Sequence, residues 1–208
     1  MVGKFVTIEG CEGVGKSTQI KLLQEYMQTT SQEAIFTREP GGTEISERIR
    51  TIILSETSII HPLVEAYLFA SARADHMLNT VLPALELGKN VFCDRFIDSS
   101  LSYQGIARDL GVDVVLEINK HALCGRTPDC TIFLDMRPEN SWRRQKGKSV
   151  SDDRMEHESD AFHNKVYNGF IQIRNKYPDR YISIVPQENK QETHILIINA
   201  LRKKGYIK

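Results

Sequence analysis

Gly10-Cys11-Glu12-Gly13-Val14-Gly15-Lys16-Ser17 is the stretch that most constrains the fold. It has the form G-x-x-x-x-G-K-S, and its flanks agree with that reading. Lys4-Phe5-Val6-Thr7-Ile8-Glu9 is apolar and rich in β-branched residues, so it reads as a buried strand. After Ser17, the residues Ile20, Leu22, Leu23, Tyr26 and Met27 fall at helical spacing, giving a helix from Ser17 to about Thr29. Strand, glycine loop and helix in that order are the context of a phosphate-binding loop. Glycines let successive N–H groups curl inward onto a phosphate. The helix N-terminus behind them adds partial positive charge. Lys16 is the residue for β- and γ-phosphates, and Ser17 is the residue for a magnesium ion. The competing reading, a glycine-rich turn that matches by chance, needs strand, helix, lysine and serine all in register by accident.

Length and charge narrow the rest. A chain of 208 residues reads as one domain, able to bury about 70% of its extended surface. It carries 27 basic and 27 acidic side chains, so no general affinity for nucleic acid or membrane is expected. Cys11, Cys93, Cys124 and Cys130 show no C-x-x-C pair, which argues against a zinc site or a disulfide framework. They read as reduced thiols in a cytoplasmic protein. The 6 histidines are scattered. Met1-Val2-Gly3-Lys4 runs straight into the first strand, so no signal peptide is expected. No apolar run approaches the roughly 18 residues of a membrane span.

Further strands are expected at Ala34–Thr37, Asn90–Asp94, Cys130–Asp135 and Arg180–Val185. Between them, Thr43 is a good cap for a helix running to Leu54. Pro62 opens a long helical stretch closed by Gly88, with a kink expected at Pro83. Asp98-Ser99-Ser100 reads as a helix cap. Helices are also expected from Pro138 to about Lys146, from Phe162 to Tyr177 and from Thr193 to Lys204. Strand cores are apolar throughout rather than alternating. That pattern predicts an α/β fold with a five-stranded parallel sheet flanked by helices on both faces.

In such a sheet, ligands bind beyond the carboxyl ends of the strands. Strand two leads there to Arg38-Glu39-Pro40-Gly41-Gly42-Thr43, and strand three to Asp94-Arg95-Phe96. Asp94 is placed to help hold magnesium, with a helix cap as the competing role. Arg95 carries a planar fork suited to phosphate.

With these residues in view, the chain resembles the thymidylate kinases of the bacterial type over essentially its full length. The resemblance rests on Glu9–Thr18, Thr37–Thr43, Phe69-Ala70-Ser71-Ala72-Arg73, Asp94–Gly105 and Asp153-Arg154-Met155-Glu156. It implies a P-loop NTPase fold of the nucleoside monophosphate kinase type, residues 1–208 as one domain, and a lid over about 143–156. It implies ATP binding by Gly10, Cys11, Glu12, Gly13, Val14, Gly15, Lys16, Ser17 and Thr18, with Mg2+ held by Ser17 and Asp94. It implies dTMP as substrate. Phe69 would stack on thymine, Arg73 would bond its carbonyl edge, and Arg95 would hold the phosphate. Tyr103 would pack on the deoxyribose, Ser100 and Gln104 would bond base or sugar, Glu12 would approach the 3′-hydroxyl, and Glu39 would lie in the closing loop. Without the resemblance, Phe69 also reads as core packing.

Some members of that family carry an arginine inside the phosphate loop. Here those positions are Cys11, Glu12, Gly13 and Val14. The resemblance then implies that the lid supplies the cation, with Arg154 the best match and Arg143, Arg144, Lys146 and Lys148 as helpers. Lys16, Arg95 and Arg154 are thus the expected catalytic residues. A surface pairing of Arg154 with Asp152, Asp153 or Glu156 is its bland alternative. The resemblance also implies a homodimer. Two other functions compete: another deoxynucleotide or nucleoside kinase of this fold, and a non-catalytic nucleotide switch. Asn119-Lys120-His121-Ala122 has only a superficial likeness to the guanine-reading N-K-x-D motif, since Ala122 replaces the acid.

Overall fold

A computed structural model of the protein describes residues 2–145 and 154–208. Lys146, Lys148, Asp152 and Asp153, and with them most of the expected lid, lie outside the described residues.

The phosphate-loop flanks form as their sequence dictates. Strand β1 (Phe5–Glu9) is buried along its whole length. Helix α1 (Lys16–Thr29) follows the loop and buries Leu23 and Met27. Next come β2 (Ala34–Arg38) and α2 (Glu44–Leu54), where the Thr43 side chain accepts from the Ser46 N–H as the expected cap. Helix α3 (Pro62–His76) passes into a wider π-helical turn, Met77–Val81, and then α4 (Leu82–Glu86). The long helical stretch is therefore interrupted just before Pro83. A proline lacks the N–H and crowds the carbonyl four residues back, and a wider turn relieves both faults.

Strand β3 (Asn90–Asp94) leads to α5 (Ile97–Ser100), which runs into a π-helical segment, Leu101–Ala107. Asp98 does not cap this helix. It lies inside α5, fully buried, and pairs with Arg180. Helix α6 (Val112–Asn119) precedes β4 (Cys130–Leu134) and α7 (Pro138–Gln145). Helix α8 (Asp160–Lys176), β5 (Tyr181–Ile184) and α9 (Lys190–Lys203) complete the chain.

Among the described residues the strands form one parallel sheet in the order β2-β3-β1-β4-β5. Strand β1 sits at its centre, so the phosphate loop leaves the sheet between the ends of β3 and β4. That is the switch point where open α/β sheets bind ligands. Val6, Ile8, Phe92 and Ile132 pack with Leu23 and Met27 of α1 and Ile197 and Leu201 of α9. Phe5, Val91 and Cys93 pack with Met77, Val81, Leu85, Phe96 and Leu101 in a second apolar cluster. Helix α8 lies close against the π-helical segment. A Cβ at Gly169 would stand 3.0 Å from the Ser102 Cα, so a larger residue there would push the two segments apart by a few tenths of an ångström. No helix among the described residues is long and apolar enough to cross a membrane.

Candidate active site

A cleft of ≈ 840 Å³ opens at the carboxyl end of the sheet. The phosphate loop forms one wall. Gly15 adopts φ +98°, a left-handed turn that delivers the loop into α1. Glu12, Gly13, Val14, Gly15, Lys16, Ser17 and Thr18 all line the cleft. Gly10 and Cys11 lie behind it. Cys11 is buried, and that burial pushes its thiol up to about 12, so it is not a reactive thiolate.

Lys16 does not extend outward as a P-loop lysine is expected to. Its ammonium donates to the carbonyls of Gly10 at 3.1 Å and Cys11 at 2.8 Å, within its own loop. Burial lowers its pKa, and the neighbouring Arg95 lowers it further. An ammonium this buried must find acceptors, and the loop carbonyls are the nearest.

The opposite wall comes from α3, the β3–α5 turn and the π-helical segment. Phe69, Arg73, Arg95, Ser100, Tyr103 and Gln104 line the cleft together with Glu39 from the β2–α2 loop. Arg73 is almost completely buried. Its Nε donates to Glu39 at 2.8 Å, Nη2 donates to the Ser100 hydroxyl at 3.1 Å, and Nη1 donates to Asn119. His76 stands on the other Glu39 oxygen at 2.9 Å. Arg73, Glu39, Ser100, His76 and Asn119 thus form one buried polar network.

Arg95 sits between the two walls. Nη2 donates to Glu12 Oε1 at 2.6 Å, and Nη1 donates to the Gly10 carbonyl and the Ser99 hydroxyl, each at 3.0 Å. Its guanidinium lies 5.3 Å from the Tyr103 ring centroid. Burial opposes the charge, but Glu12, Tyr103 and Asp94 hold the Arg95 pKa well above its ordinary value. Burial alone would raise Glu12. Arg95, Lys16 and the Tyr103 hydroxyl outweigh it and bring that carboxyl down to about 2. The Tyr103 hydroxyl reaches Glu12 Oε1 at 2.9 Å.

Ser17 and Asp94 meet across the loop, with Ser17 Oγ 3.4 Å from Asp94 Oδ2. The other Asp94 oxygen, Oδ1, is buried and has no hydrogen-bond partner among the described residues. A hydroxyl beside an unsatisfied carboxylate oxygen suits a hard divalent cation, which needs few protein ligands when phosphates supply the rest.

Arg154 stands apart from these. Its Nη2 donates to Glu65 at 2.6 Å and its Nε to the Ile53 carbonyl at 3.0 Å. Met155 and Glu156 line the cleft, as does Arg144. Among the described residues the partner of Arg154 is the buried Glu65 and not Glu156, while the alternative pairing with Asp152 or Asp153 lies outside the described residues. Several participants carry no sequence signal for this site. Glu65 resembles an ordinary helix residue, His76 is one of several scattered histidines, and Asn119 stands out only through its superficial N-K-x-D likeness, whereas in the fold it accepts from Arg73.

A parallel sheet whose central strand feeds a phosphate loop, facing arginines and an aromatic across a cleft, defines the P-loop class of nucleoside phosphate kinases. Residues 8–197 match the family model described as Thymidylate kinase. The chain belongs to the thymidylate kinase family. It is 42% identical over 203 residues to a thymidylate kinase from Thermoanaerobacter sp. (strain X514), covering 98% of this chain and 99% of the relative. It is 46% identical over 205 residues to one from Bacillus cytotoxicus, covering 96% and 99%. The crystal structure of thymidylate kinase from Ehrlichia chaffeensis superposes with a TM-score of 0.78 at 29% identity, covering 97% of this chain and 99% of that one.

Proposed function

We propose that the cleft is where this enzyme performs its reaction, with ATP phosphates on the Gly10–Thr18 side and dTMP on the Phe69–Tyr103 side. The chain is an ATP-dependent dTMP kinase by family, and converts ATP and dTMP to ADP and dTDP. An oxygen of the dTMP phosphate attacks the γ-phosphorus of ATP. The bond to the bridging β–γ oxygen breaks, and ADP leaves. The attacking oxygen is already anionic, so no general base is needed. The difficulty is to bring two polyanions together in line.

The chain's own residues answer that difficulty. Lys16 turns from its loop carbonyls to the β- and γ-phosphates. Arg95 holds the acceptor phosphate. Glu12 orients Arg95 and Tyr103 and meets the 3′-hydroxyl. Phe69 stacks on thymine, and Arg73, Ser100 and Gln104 bond the base or sugar, with Glu39 fixing Arg73. Ser17 and Asp94 hold Mg2+, which when bound neutralises phosphate charge. The segment about 143–156 acts as a lid, and Arg154 moves from Glu65 to the transferred phosphoryl group. The 208 residues act as one domain and form a homodimer in the cytoplasm.

The observation that carries this reading is the Arg95–Glu12–Tyr103 contact set, which ties the phosphate loop to the acceptor wall. Steady-state kinetics on Phe69→Ala and Arg95→Ala test it. Both variants should raise KM for dTMP and leave KM for ATP nearly unchanged. An effect mainly on ATP would overturn the site map.

A further inference from the structure

Glu9 closes β1 directly beneath the phosphate loop, and it is wholly buried. Buried carboxylates are rare unless their oxygens are used. Both oxygens are used here. Oε1 accepts from the Phe96 N–H at 2.8 Å and from the Ser99 N–H at 3.3 Å. Oε2 accepts from the Ser99 hydroxyl at 2.6 Å. That same hydroxyl oxygen accepts from Arg95 Nη1 at 3.0 Å. Glu9 is therefore one hydroxyl away from the Arg95 guanidinium.

The backbone gives a second, independent link. Arg95 has φ +66°, a left-handed conformation that side chains other than glycine seldom adopt. Such a residue persists only where its surroundings over-determine it. The next N–H along the chain, that of Phe96, is the one Glu9 holds most tightly. The carboxylate thus fixes the turn that aims Arg95 and also the hydroxyl that aims its guanidinium. Charged groups around Glu9 are Arg95 on the same turn and Asp98 on α5, the latter itself paired with Arg180.

We propose that Glu9 is a positioning residue for the acceptor phosphate, acting through Ser99 and the Arg95–Phe96 turn to set the direction of the Arg95 guanidinium. The proposal rests on Arg95 being the acceptor-phosphate residue. Gln at this position keeps the shape but places a donor where one acceptor stood. The Ser99 hydroxyl then loses its acceptor, and the hold on Arg95 loosens.

The test is steady-state kinetics on Glu9→Gln, Ser99→Ala, Arg95→Ala and the double variant Glu9→Gln/Arg95→Ala, each with a thermal melt. At pH 8, above the value of about 7 to which burial raises Glu9, replacing its charge-assisted hydrogen bond by a neutral contact in Glu9→Gln, or deleting that bond in Ser99→Ala, should raise KM for dTMP about 5- to 30-fold. KM for ATP should stay within about twofold, and Glu9→Gln should add almost nothing in the Arg95→Ala background. A merely structural role would move both Michaelis constants and the melt together. An unchanged dTMP KM in Glu9→Gln, beside an impaired Arg95→Ala, overturns the role of Glu9 alone. An Arg95→Ala with normal dTMP KM overturns the reading of Arg95 and this proposal with it. If Glu9→Gln fails to fold, Ser99→Ala reads the same link, and a normal dTMP KM in that variant overturns the proposal.

Discussion

Arg154 Nη2 donates to Glu65 Oε2 at 2.6 Å, and Glu65 is fully buried on α3. The same carboxylate accepts from Gln104 at 2.9 Å and from Arg108 at 3.4 Å. One buried acid therefore joins the proposed lid arginine to a residue of the proposed dTMP wall.

If Arg154 exchanges Glu65 for the transferred phosphoryl group, it binds the transition state better than the ground state. It should then act on rate rather than affinity. Arg154→Ala is expected to lower turnover by at least about 10²-fold with little change in dTMP affinity. Arg154→Lys should recover only part of this, because an ammonium lacks the planar fork. Single-turnover kinetics beside Arg143→Ala and Arg144→Ala decide the matter. Unchanged turnover in Arg154→Ala with an inactive Arg144→Ala would transfer the role to Arg144, which already lines the cleft.

Lys16→Ala should fold and yet fail to catalyse. Removing the side chain frees the Gly10 and Cys11 carbonyls but also removes a buried charge, so the two effects on stability oppose each other. Turnover should fall by about 10²–10³-fold or more as a positioned cation is lost. A cooperative melt measured alongside the assay separates lost chemistry from lost fold. Near-normal turnover in a folded variant would refute the phosphate-loop assignment.

Arg73→Ala should weaken dTMP roughly 10- to 100-fold while ATP is little affected. It should also lower stability. Arg73 and Glu39 form a buried ion pair, with side-chain exposures of 1% and 3%. Removing one partner of such a pair costs up to about 3–5 kcal/mol, with His76 still on Glu39 to limit the loss. Chemical denaturation of the variant checks the stability half. A stable variant with normal dTMP affinity would contradict both parts.

The depressed Glu12 carboxyl has a defined effect on acid stability. Its folded pKa of about 2 lies below its ordinary 4.5. Its contribution is complete above about pH 4.5 and is lost as pH falls from there toward 2. Glu9 has the opposite sign. Burial first, and then Asp98, raise it to about 7, so its folded form keeps a proton the unfolded form has released. Its contribution weakens as pH rises from about 4.5 to 7. Denaturation midpoints between pH 3 and 8 should therefore show a shallower acid limb in Glu12→Gln than in the parent. An identical acid limb would remove Glu12 from the charge network.

Much of the fold was legible because its signals are local. The glycine loop, the apolar strand cores and Thr43 as a cap each depend on neighbours in sequence. Helix α6 is not legible in the sequence, because Val112–Asn119 is short and its two buried residues, Val115 and Asn119, are held by distant partners, the second apolar cluster and Arg73. Asp98 read as a cap because the Arg180 that claims it lies 82 residues away. The candidate site followed the same division. Residue types that announce phosphate chemistry, such as Lys16, Arg95 and Ser17, stood out. The supporting roles of Glu9, Glu65, His76 and Asn119 did not, even where Glu9 and Asn119 sit in recognisable motifs, since a buried polar partner is defined by what folds over it.

The central claim is transfer of the ATP γ-phosphoryl group to the phosphate of dTMP in this cleft. The most direct measurement incubates the protein with ATP, Mg2+ and each of dTMP, dUMP, dCMP, dGMP, the 2′-hydroxy analogue of dTMP and thymidine, and resolves the products by chromatography. The account predicts dTDP and ADP in equal amounts from dTMP, a strong preference over the 2′-hydroxy analogue that narrows in Tyr103→Ala, and no product from thymidine. Preferred phosphorylation of a different acceptor, equal use of the two sugars, or ATP binding without dTDP formation would contradict it.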